Sequence, residues 1–355
     1  MLPQIKPYFI AETAFHHEGD KNFLLKLIDD FCNLDINAIK FHLLFDLEDY
    51  IIENHPAVDV LKNISIKKED WKEIFNLVNS KNRDLVLLTN DLESLKWVNS
   101  VQNEYNVEAI ELHSTGLNDI FLLKECLNFE KTIILGVGGS TIDEIFYAVD
   151  FLKKNGKNDI LLMHGFQNYP TNYEDINFKR MQFLREAFSL PIGYADHTDP
   201  TDKKNRLISV LPQAMGFNIL EKHVTNVLGE KRIDAQAAVS IEQMAEIIED
   251  ANTVFKTIGK ESVVFSEAEK NYGNTGPMKK AIVARENIKK GQKITLSNVA
   301  FKRTETSSSL LQKDIVKILG AEASKDIAKD EIISFNNVEY LFQKENFDQF
   351  FVSEN

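Results

Sequence analysis

Short runs of branched apolar residues alternate with longer segments of helical periodicity over residues 1–262. The runs are rich in Ile, Leu and Val and lack strict alternation of apolar and polar positions, as is typical of parallel strands buried on both faces. The pattern predicts eight strands, at residues 8–12, 37–41, 84–88, 107–112, 132–137, 159–164, 191–195 and 217–223.

Between these strands, apolar residues recur every three or four positions, which predicts amphipathic helices. The helices are expected at residues 20–34, 68–80, 116–128, 140–154, 176–187, 202–214 and 240–257. Eight strand-helix units of this size predict an α/β fold, a (β/α)8 TIM barrel over residues 1–262. A doubly wound sheet is the alternative, but no Gly-rich phosphate-binding motif follows the first strand.

The pattern changes after the barrel. Residues 263–279 are polar and contain Gly and Pro, which predicts a linker. Residues 280–340 hold short β-like runs around the turn "KKGQ" and predict a β-rich domain near the lower size limit for independent stability. Residues 341–355 mix aromatic and charged residues, so this C-terminal tail is expected to be either a docking segment or a frayed end.

The net charge, the cysteines and the N-terminal segment limit the binding partners and the cellular location that we expect. The 355 residues carry a formal net charge of −13, which argues against a nucleic-acid surface. Cys32 and Cys126 are the only cysteines and have no zinc-like spacing, so reduced thiols and a cytoplasmic location are expected. The N-terminal segment shows neither a secretion signal nor a membrane span, and no membrane partner is expected.

Polar side chains cluster where the predicted strands end. In a TIM barrel these ends and the loops after them form the active site. Seven of the eight histidines in the chain fall there. The strand-end residues that could carry chemistry are Glu12, His16, His17, Lys40, His42, Thr89, Asn90, Asp91, Glu111, His113, Ser114, His164, Gln167, Tyr169, Asp196, His197, Glu221, Lys222 and His223.

Each of these positions has a structural interpretation beside the chemical one. His197 and His223 are either hydrogen-bonding strand ends or ligands of a divalent metal, for which neutral imidazole suits Mn, Zn or Fe better than Mg. Glu12 and Lys40 are either an ion pair across neighbouring strands or groups that position a substrate. Asp196 either orients a ligand histidine or caps the next helix.

Several motifs, in a constant order, resemble one enzyme family. "YFIAETAFHHEGD" resembles the I-A-E-I-G-x-N-H-x-G-D opening of sialic acid synthases, and "AIKFH" is similar to their V-K-F-Q. "LMHGFQNYPTNYEDINFKRM", "IGYADHT" and "ILEKHVT" are similar to the family's L-H-C-T-S-x-Y-P-T-P-Y-E-D-x-N-L, G-L-S-D-H-T and I-E-K-H-F-T. "AIVARENIKKGQKITLSNVAFKR" resembles the start of the antifreeze-protein-like (SAF) domain that ends these enzymes. The chain is identified as a divergent member of the sialic acid synthase (N-acetylneuraminate synthase) superfamily.

The resemblance implies a TIM barrel followed by a SAF domain, in a domain-swapped homodimer. It implies the condensation of phosphoenolpyruvate with an N-acylated amino sugar to a 2-keto-3-deoxy sugar acid, with release of phosphate, in surface polysaccharide biosynthesis. The partners are then a small-molecule sugar and phosphoenolpyruvate. The cofactor is a divalent metal, Mn or Mg, with Zn or Fe as further options, which polarises the sugar aldehyde.

Matching motifs carry the family's roles onto this chain residue by residue. The resemblance implies that His197 and His223 stand where the family's metal ligands stand. It places Glu12 on the family's glutamate near the sugar aldehyde and Lys40 on the family's lysine that contacts phosphoenolpyruvate. The predicted catalytic residues are Glu12, Lys40 and Asp196. The predicted substrate-binding residues are His42, Ser114, Gln167, Tyr169, Asp234 and Arg303, of which Arg303 is implied to reach the active site of the partner subunit.

The chain departs from the family where phosphate binds. Glu111 replaces a lysine that binds phosphoenolpyruvate, Gly136 replaces a phosphate-binding serine, and Ala195 replaces the serine of L-S-D-H-T. Two unit charges about 4 Å apart interact with about 4 kcal/mol at an effective dielectric near 20, so the glutamate disfavours a phosphorylated donor.

Three functions therefore remain open from the sequence. The first is a synthase whose phosphate pocket is rebuilt, with His42, His113 or Lys222 as the candidates. The second is a metal-dependent aldolase, lyase or epimerase on a sugar or sugar acid that no longer uses phosphoenolpyruvate. The third is a non-catalytic paralogue that acts as a subunit or a sugar sensor.

Overall fold

A computed structural model describes residues 2, 6–166, 168, 170–259, 264–272, 279–306 and 308–339. The chain folds into two compact units, Met1–Gly259 and Lys260–Asn355. Two predicted substrate-binding residues, Gln167 and Tyr169, lie outside the described residues, as does the predicted tail 341–355.

The first unit is a closed barrel of parallel strands. Neighbouring strands pair in sequence order, and β1 also pairs with β8, which closes the sheet. The strands are β1 Tyr8–Glu12, β2 Ala38–Leu43, β3 Asp84–Thr89, β4 Val107–Leu112, β5 Thr132–Gly136, β6 Ile160–His164, β7 Ile192–Asp196 and β8 Ile219–Thr225, with a short β9 Val239–Ser240 beside the end of β8. The predicted TIM barrel is confirmed, and the doubly wound alternative is wrong.

Helices connect the strands around the outside of the barrel. They are α1 Lys21–Phe31, α2 Leu47–Tyr50, α3 Val58–Ile64, α4 Lys68–Ser80, α5 Leu92–Val101, α6 Ile120–Cys126, α7 Ile142–Lys154, α8 Tyr173–Ile176, α9 Phe178–Phe188, α10 Asn205–Ala214 and α11 Ile241–Ile258. The predicted helix 116–128 begins later, because Ser114–Gly116 forms a 3-10 turn and the Asp119 carboxylate caps α6.

Three helices of the barrel unit, α2, α3 and α5, lie wholly outside the predicted helices, and α8 shares only Ile176 with one of them. The longest of them, α5, begins after Asp91, whose side chain accepts the Ser94 amide while the Ser94 hydroxyl approaches the Asp91 amide. This reciprocal capping box is a local signal that the apolar periodicity alone did not reveal.

Successive side chains on each strand alternate between two apolar layers, because neighbouring residues on a strand point to opposite faces. One set packs outward against the helices and includes Phe41, Leu87, Leu135, Leu162 and Leu220. The other fills the barrel interior and includes Ile10, Val86, Ile134, Leu161 and Ile219. Towards the carboxyl ends of the strands the inward positions become polar, so the packed interior forms the base of a polar site.

The second unit has a small β-rich core. Strands β10 Lys280–Ala284 and β11 Val299–Arg303 pair antiparallel, and isolated bridges connect further short segments. A 3-10 turn at Gln312–Asp314 leads into α13 Ile315–Ile318, and α12 Glu267–Tyr272 lies within the predicted linker. The buried apolar residues include Ile282, Ile288, Ile294, Ile318, Ile327 and Ile333.

Truncating an interior side chain should destabilise the barrel. We expect Ile134→Ala to lower the free energy of unfolding by about 2–5 kcal/mol, because the closed interior cannot collapse around the cavity. Urea unfolding followed by fluorescence measures this, since both tryptophans are buried in the barrel unit. Phe121→Ala, at a side chain that is 67% exposed, is the control and should have little effect. Equal effects of the two changes would contradict the assigned interior.

Candidate active site

The register of three neighbouring strands brings the central charged residues together. Glu12, at the end of β1, is paired with Lys40 on β2 and with His223 on β8. Residues that pair in a parallel sheet lie at the same height and point to the same face. The three side chains therefore meet inside the mouth of the barrel, where all three are buried.

Glu12 is the centre of this group. Its Oε1 lies 2.6 Å from Nε2 of His42 and 3.3 Å from Nζ of Lys40. Its Oε2 lies 2.9 Å from Nε2 of His223. Contacts on both oxygens fix the orientation of the carboxylate, as is needed for a group that binds a metal or substrate in one geometry.

Glu12, His197 and His223 together form a candidate metal site. One ligand atom from each lies within 4.8 Å of the others, and all three residues are buried. The two imidazole rings meet edge to face with centroids 5.1 Å apart. No other cluster of His, Cys, Asp and Glu with this spacing occurs among the described residues. Two imidazoles and one carboxylate suit a divalent transition metal better than Mg.

The two histidines have different electrostatic environments. Burial lowers the pKa of His197 to about 3, so its ring is neutral near pH 7 and can donate a lone pair to a metal. Burial also disfavours the charged form of His223, but the facing Glu12 carboxylate outweighs it and raises the pKa of His223. A cation bound between them would replace the proton on His223, since metal and proton compete for the same nitrogen.

Lys40 is enclosed by three carboxyl groups. Its Nζ lies 2.7 Å from Glu111 Oε2, 2.9 Å from Glu221 Oε1 and 3.3 Å from Glu12 Oε1. Burial favours the neutral amine, but Glu111, Glu12 and Glu221 together raise the pKa of Lys40 well above its ordinary value. Lys40 is therefore a fixed ammonium and not a nucleophilic amine.

The carboxyl groups around Lys40 share their charge unequally. Burial would raise the pKa of Glu12, but Lys40 and His223 lower it well below its ordinary value. Burial and the nearby Glu12 raise the pKa of Glu221 well above its ordinary value. The two carboxyl groups are thus pushed in opposite directions, Glu12 toward the ionised form and Glu221 toward the protonated form, as expected when two carboxyl groups share one site.

A cavity of about 70 Å³ opens above these groups. Besides the predicted site residues it is lined by Glu221, a strand-end residue to which the sequence analysis assigned no specific role, and by Phe166, which no sequence signal singled out. The lining is Glu12, Lys40, His42, Leu88, Glu111, His113, Ser114, Gly136, Gly138, Met163, Gly165, Phe166, Ala195, His197, Glu221 and His223. Ser114 and His42, both predicted to bind substrate, therefore face the cavity.

Close backbone packing shapes one wall of the cavity. A Cβ on Gly138 would lie 2.0 Å from the Gly165 carbonyl oxygen, and one on Gly165 would lie 2.2 Å from the Ala195 oxygen. Gly165 also has a φ of +145°, which only glycine adopts readily. The ends of β5, β6 and β7 thus touch backbone to backbone, and glycine is required for this approach.

Asp196 and Lys222 lie outside the cavity. Lys222 Nζ is 2.6 Å from Asp196 Oδ2, and neither side chain is exposed. Asp196 also accepts the Ser209 hydroxyl of α10 and the amide of Thr198. These contacts are those of a residue that holds the end of β7 against α10. A role for Asp196 in catalysis stays a prediction, and Lys222 cannot rebuild a phosphate pocket from this position.

The remaining histidines divide between the cavity and the protein interior. Burial lowers the pKa of His113, which lines the cavity, to about 4. Burial lowers the pKa of His17 to about 3, and its ring packs edge-on against Trp71. His164 is hydrogen-bonded through Nε2 to the Ile176 carbonyl, away from the cavity.

His16 joins two loops near the candidate metal site, a role that no sequence signal predicts. Its Nε2 lies 2.8 Å from Thr225 Oγ1 and its Nδ1 lies 3.0 Å from the Ile233 carbonyl oxygen. Arg232 donates to the His16 carbonyl oxygen. These contacts hold the loop after β8 against the loop after β1. They place Asp234, a predicted substrate-binding residue, where its charge acts on His223.

Arg303, the last predicted substrate-binding residue, is at the end of β11 in the second unit, and its side chain is exposed. Its predicted role in a partner subunit's site stays a prediction. No helix in the described parts of the chain is long and apolar enough to cross a membrane.

Comparison with known proteins identifies both units. Residues 45–263 match the model of the NeuB family, and residues 279–339 match that of the SAF domain. The chain is 29% identical over 331 residues to an uncharacterized protein of Methanocaldococcus jannaschii, covering 93% of this chain and 94% of that one. It is 26% identical over 346 residues to N,N'-diacetyllegionaminic acid synthase of Campylobacter jejuni, covering 92% and 99% of the two chains.

A solved structure shows the same fold. The N-acetylneuraminic acid synthetase of Leptospira borgpetersenii, in complex with citrate, superimposes with a TM-score of 0.67 at 27% identity, covering 75% of this chain and 90% of that one. The resemblance drawn from the sequence motifs is confirmed, as is the prediction of a TIM barrel with a SAF domain.

Removing one histidine of the candidate metal group should abolish tight metal binding. We expect His197→Ala and His223→Ala each to weaken Mn²⁺ binding at least about a hundredfold. Loss of a residue that only hydrogen-bonds a metal ligand already lowers metal affinity about 10–100-fold, so loss of a ligand itself should lower it at least as much. Titration calorimetry on the full chain measures this. His113→Ala, which changes a cavity-lining histidine outside the group, is the control. Unchanged affinity in both ligand variants would rule out this site.

Removing the His16 ring should loosen the loop after β8. We expect His16→Ala to speed amide hydrogen exchange in residues 226–238 about tenfold or more, because two side-chain hydrogen bonds of about 0.5–1.5 kcal/mol each are lost. Exchange followed by mass spectrometry measures this, with the exposed His55→Ala as control. Unaltered exchange in that peptide would show that His16 does not hold the loop.

Proposed function

The chain belongs to the NeuB family, and on this basis we propose that it joins a three-carbon 2-oxo-acid unit to the aldehyde carbon of a sugar. The product is a 2-keto-3-deoxy sugar acid, and the reaction depends on a divalent metal. The buried group of Glu12, His197 and His223 is the observation that carries the proposal. The relatives named as legionaminic, pseudaminic and N-acetylneuraminate-9-phosphate synthases support the same class of reaction.

The donor atoms of this group fit a divalent metal. Two imidazole nitrogens and one carboxylate leave coordination positions open for substrate, as in catalytic metal sites. Mn²⁺ is the ion we expect, with Zn²⁺ or Fe²⁺ also compatible with the ligand set. A metal bound there would act as a Lewis acid on the sugar carbonyl.

The chain's own residues hold this arrangement in place. His42 fixes one oxygen of Glu12 and leaves the other directed toward His223. Lys40 fixes Glu111 and Glu221 at the base of the cavity, so a donor would meet these acids at a defined position. Ser114 and His113 line the same cavity and offer hydrogen-bonding groups to a sugar hydroxyl.

The resemblance implies phosphoenolpyruvate as donor and an N-acylated amino sugar as acceptor, and this synthase reaction is the first candidate. A metal-dependent aldolase that does not use phosphoenolpyruvate is the second. The enclosure of Lys40 by three carboxyl groups favours the second, because this ammonium is already paired and a highly charged phosphorylated donor would meet those carboxyl groups. A non-catalytic role leaves the buried Glu12–histidine group without a function, so we do not favour it.

We also propose that the chain works in the cytoplasm as a domain-swapped homodimer, as the family resemblance implies. In that arrangement Arg303 would contribute to the sugar site of the partner subunit. Gln167, Tyr169 and Asp234 remain the other residues proposed to contact the sugar.

A donor and acceptor screen tests the proposed function. We expect the purified full chain with Mn²⁺ to form an adduct three carbons longer than the sugar, using phosphoenolpyruvate or pyruvate with a panel of N-acyl hexosamines. Mass spectrometry detects the adduct, and a phosphate assay separates the two donors. His223→Ala should form no adduct, while the exposed His55→Ala should behave as the unaltered chain does. Absence of an adduct from every pair by a metal-loaded, folded chain would refute carbon–carbon bond formation.

A further inference from the structure

We propose that Glu111 makes the cavity select a three-carbon donor of low negative charge, a 2-oxo-acid monoanion such as pyruvate, over a phosphorylated donor. This inference rests on the proposed function and names the donor class for the same site. It follows from the charges that surround Lys40, the position of Glu111 and the absence of a second lysine or arginine among the described lining residues.

Glu111 makes the shortest contact to Lys40. The distance from Glu111 Oε2 to Lys40 Nζ is 2.7 Å, shorter than the distances from Glu221 and Glu12. Both side chains of the Glu111–Lys40 pair are at most 4% exposed, so water does not screen the interaction. The strongest electrostatic partner of Lys40 is thus already part of the protein, and an incoming anion would have to displace it.

No other lysine or arginine lines the described part of the cavity. Three carboxyl groups face one ammonium there. If Glu221 carries a proton, the two carboxylates that remain still outnumber the single positive charge of Lys40. Phosphoenolpyruvate brings a phosphate and a carboxylate, whereas pyruvate brings one carboxylate. Since like charges repel strongly where water is excluded, the phosphorylated donor meets the larger penalty.

The strand beside Glu111 offers no side chain that could bind a phosphate. A Cβ on Gly136, at the end of β5, would lie 3.2 Å from Glu111 Oε1. The neighbouring strand therefore contributes backbone and no side chain between the carboxylate and the cavity. Gly138 and Gly165 continue this bare wall, where any added side chain would collide with backbone.

With pyruvate as the donor, the addition to the sugar aldehyde needs no leaving group. Pyruvate loses a methyl proton to a cavity carboxylate, and the resulting carbon attacks the aldehyde carbon. The carbon–carbon bond forms as the carbonyl π bond breaks, and the aldehyde oxygen takes up the proton that the carboxylate removed, which restores the carboxylate. The product is a 4-hydroxy-2-oxo acid, and neither water nor phosphate enters the balance.

Binding titrations with two donors test the proposal independently of turnover. We would titrate pyruvate and phosphoenolpyruvate into the full chain, with Mn²⁺ and with EDTA, by calorimetry. The unaltered chain should bind pyruvate at least about tenfold more tightly than phosphoenolpyruvate. Glu111→Gln should raise phosphoenolpyruvate affinity at least about tenfold and pyruvate affinity less, and Glu111→Lys should raise the former further.

A matched control lies on the same strand. Glu108 is three residues earlier on β4 and pairs with Lys131, away from the cavity, so Glu108→Gln should change neither affinity. Circular dichroism of each variant verifies folding, and Glu111→Gln, which keeps the size of the side chain, suffices if Glu111→Lys is unstable.

The outcomes separate this inference from the proposed function. Equal or tighter binding of phosphoenolpyruvate by the unaltered chain, or no gain in Glu111→Gln, would overturn the donor assignment while leaving adduct formation intact. Conversely, a gain in phosphoenolpyruvate affinity in that variant would support the role of Glu111 even if the donor and acceptor screen yields no adduct.

Discussion

The ion cluster around Lys40 is the interaction on which the organisation of the site depends. Removing an ammonium and several carboxyl groups from water costs several kcal/mol for each ion, so such groups persist only where they satisfy one another. Lys40 meets that condition through contacts with Glu12, Glu111 and Glu221, which come from three other strands. The cluster therefore ties β1, β2, β4 and β8 together at the mouth of the barrel, and it orients the carboxylate that completes the metal group.

The two halves of the cavity have opposite chemical character. On one side Glu12, His197 and His223 converge as a ligand set, supported by His42 and by the loop that His16 holds. On the other side Glu111 faces Lys40 above a wall of glycine backbone. A site built this way would suit a carbonyl activated by a bound metal, and the donor preference that we propose follows from the charge that remains beside it.

The architecture and half of the site were predictable, because both are encoded locally. Buried parallel strands require apolar runs, and chemistry at a barrel mouth requires polar residues at strand ends, so His197, His223 and Glu12 could be identified together. Helix α5 was missed because its capping box is a two-residue signal within a weakly amphipathic segment. Asp196 and Lys222 were placed in the site by proximity in sequence, yet strand alternation turns both away from the cavity.

The sequence by itself determined the barrel, the SAF domain, the family and which residues stand at the strand ends. These follow from periodicity and from motifs whose residues are neighbours along the chain. Only the tertiary structure decided which of those side chains meet. The contact of Glu111 with Lys40 and the bridge from His16 to Thr225 and Ile233 join residues 71, 209 and 217 positions apart. Such contacts depend on the closure and register of the sheet, and no local pattern specifies those.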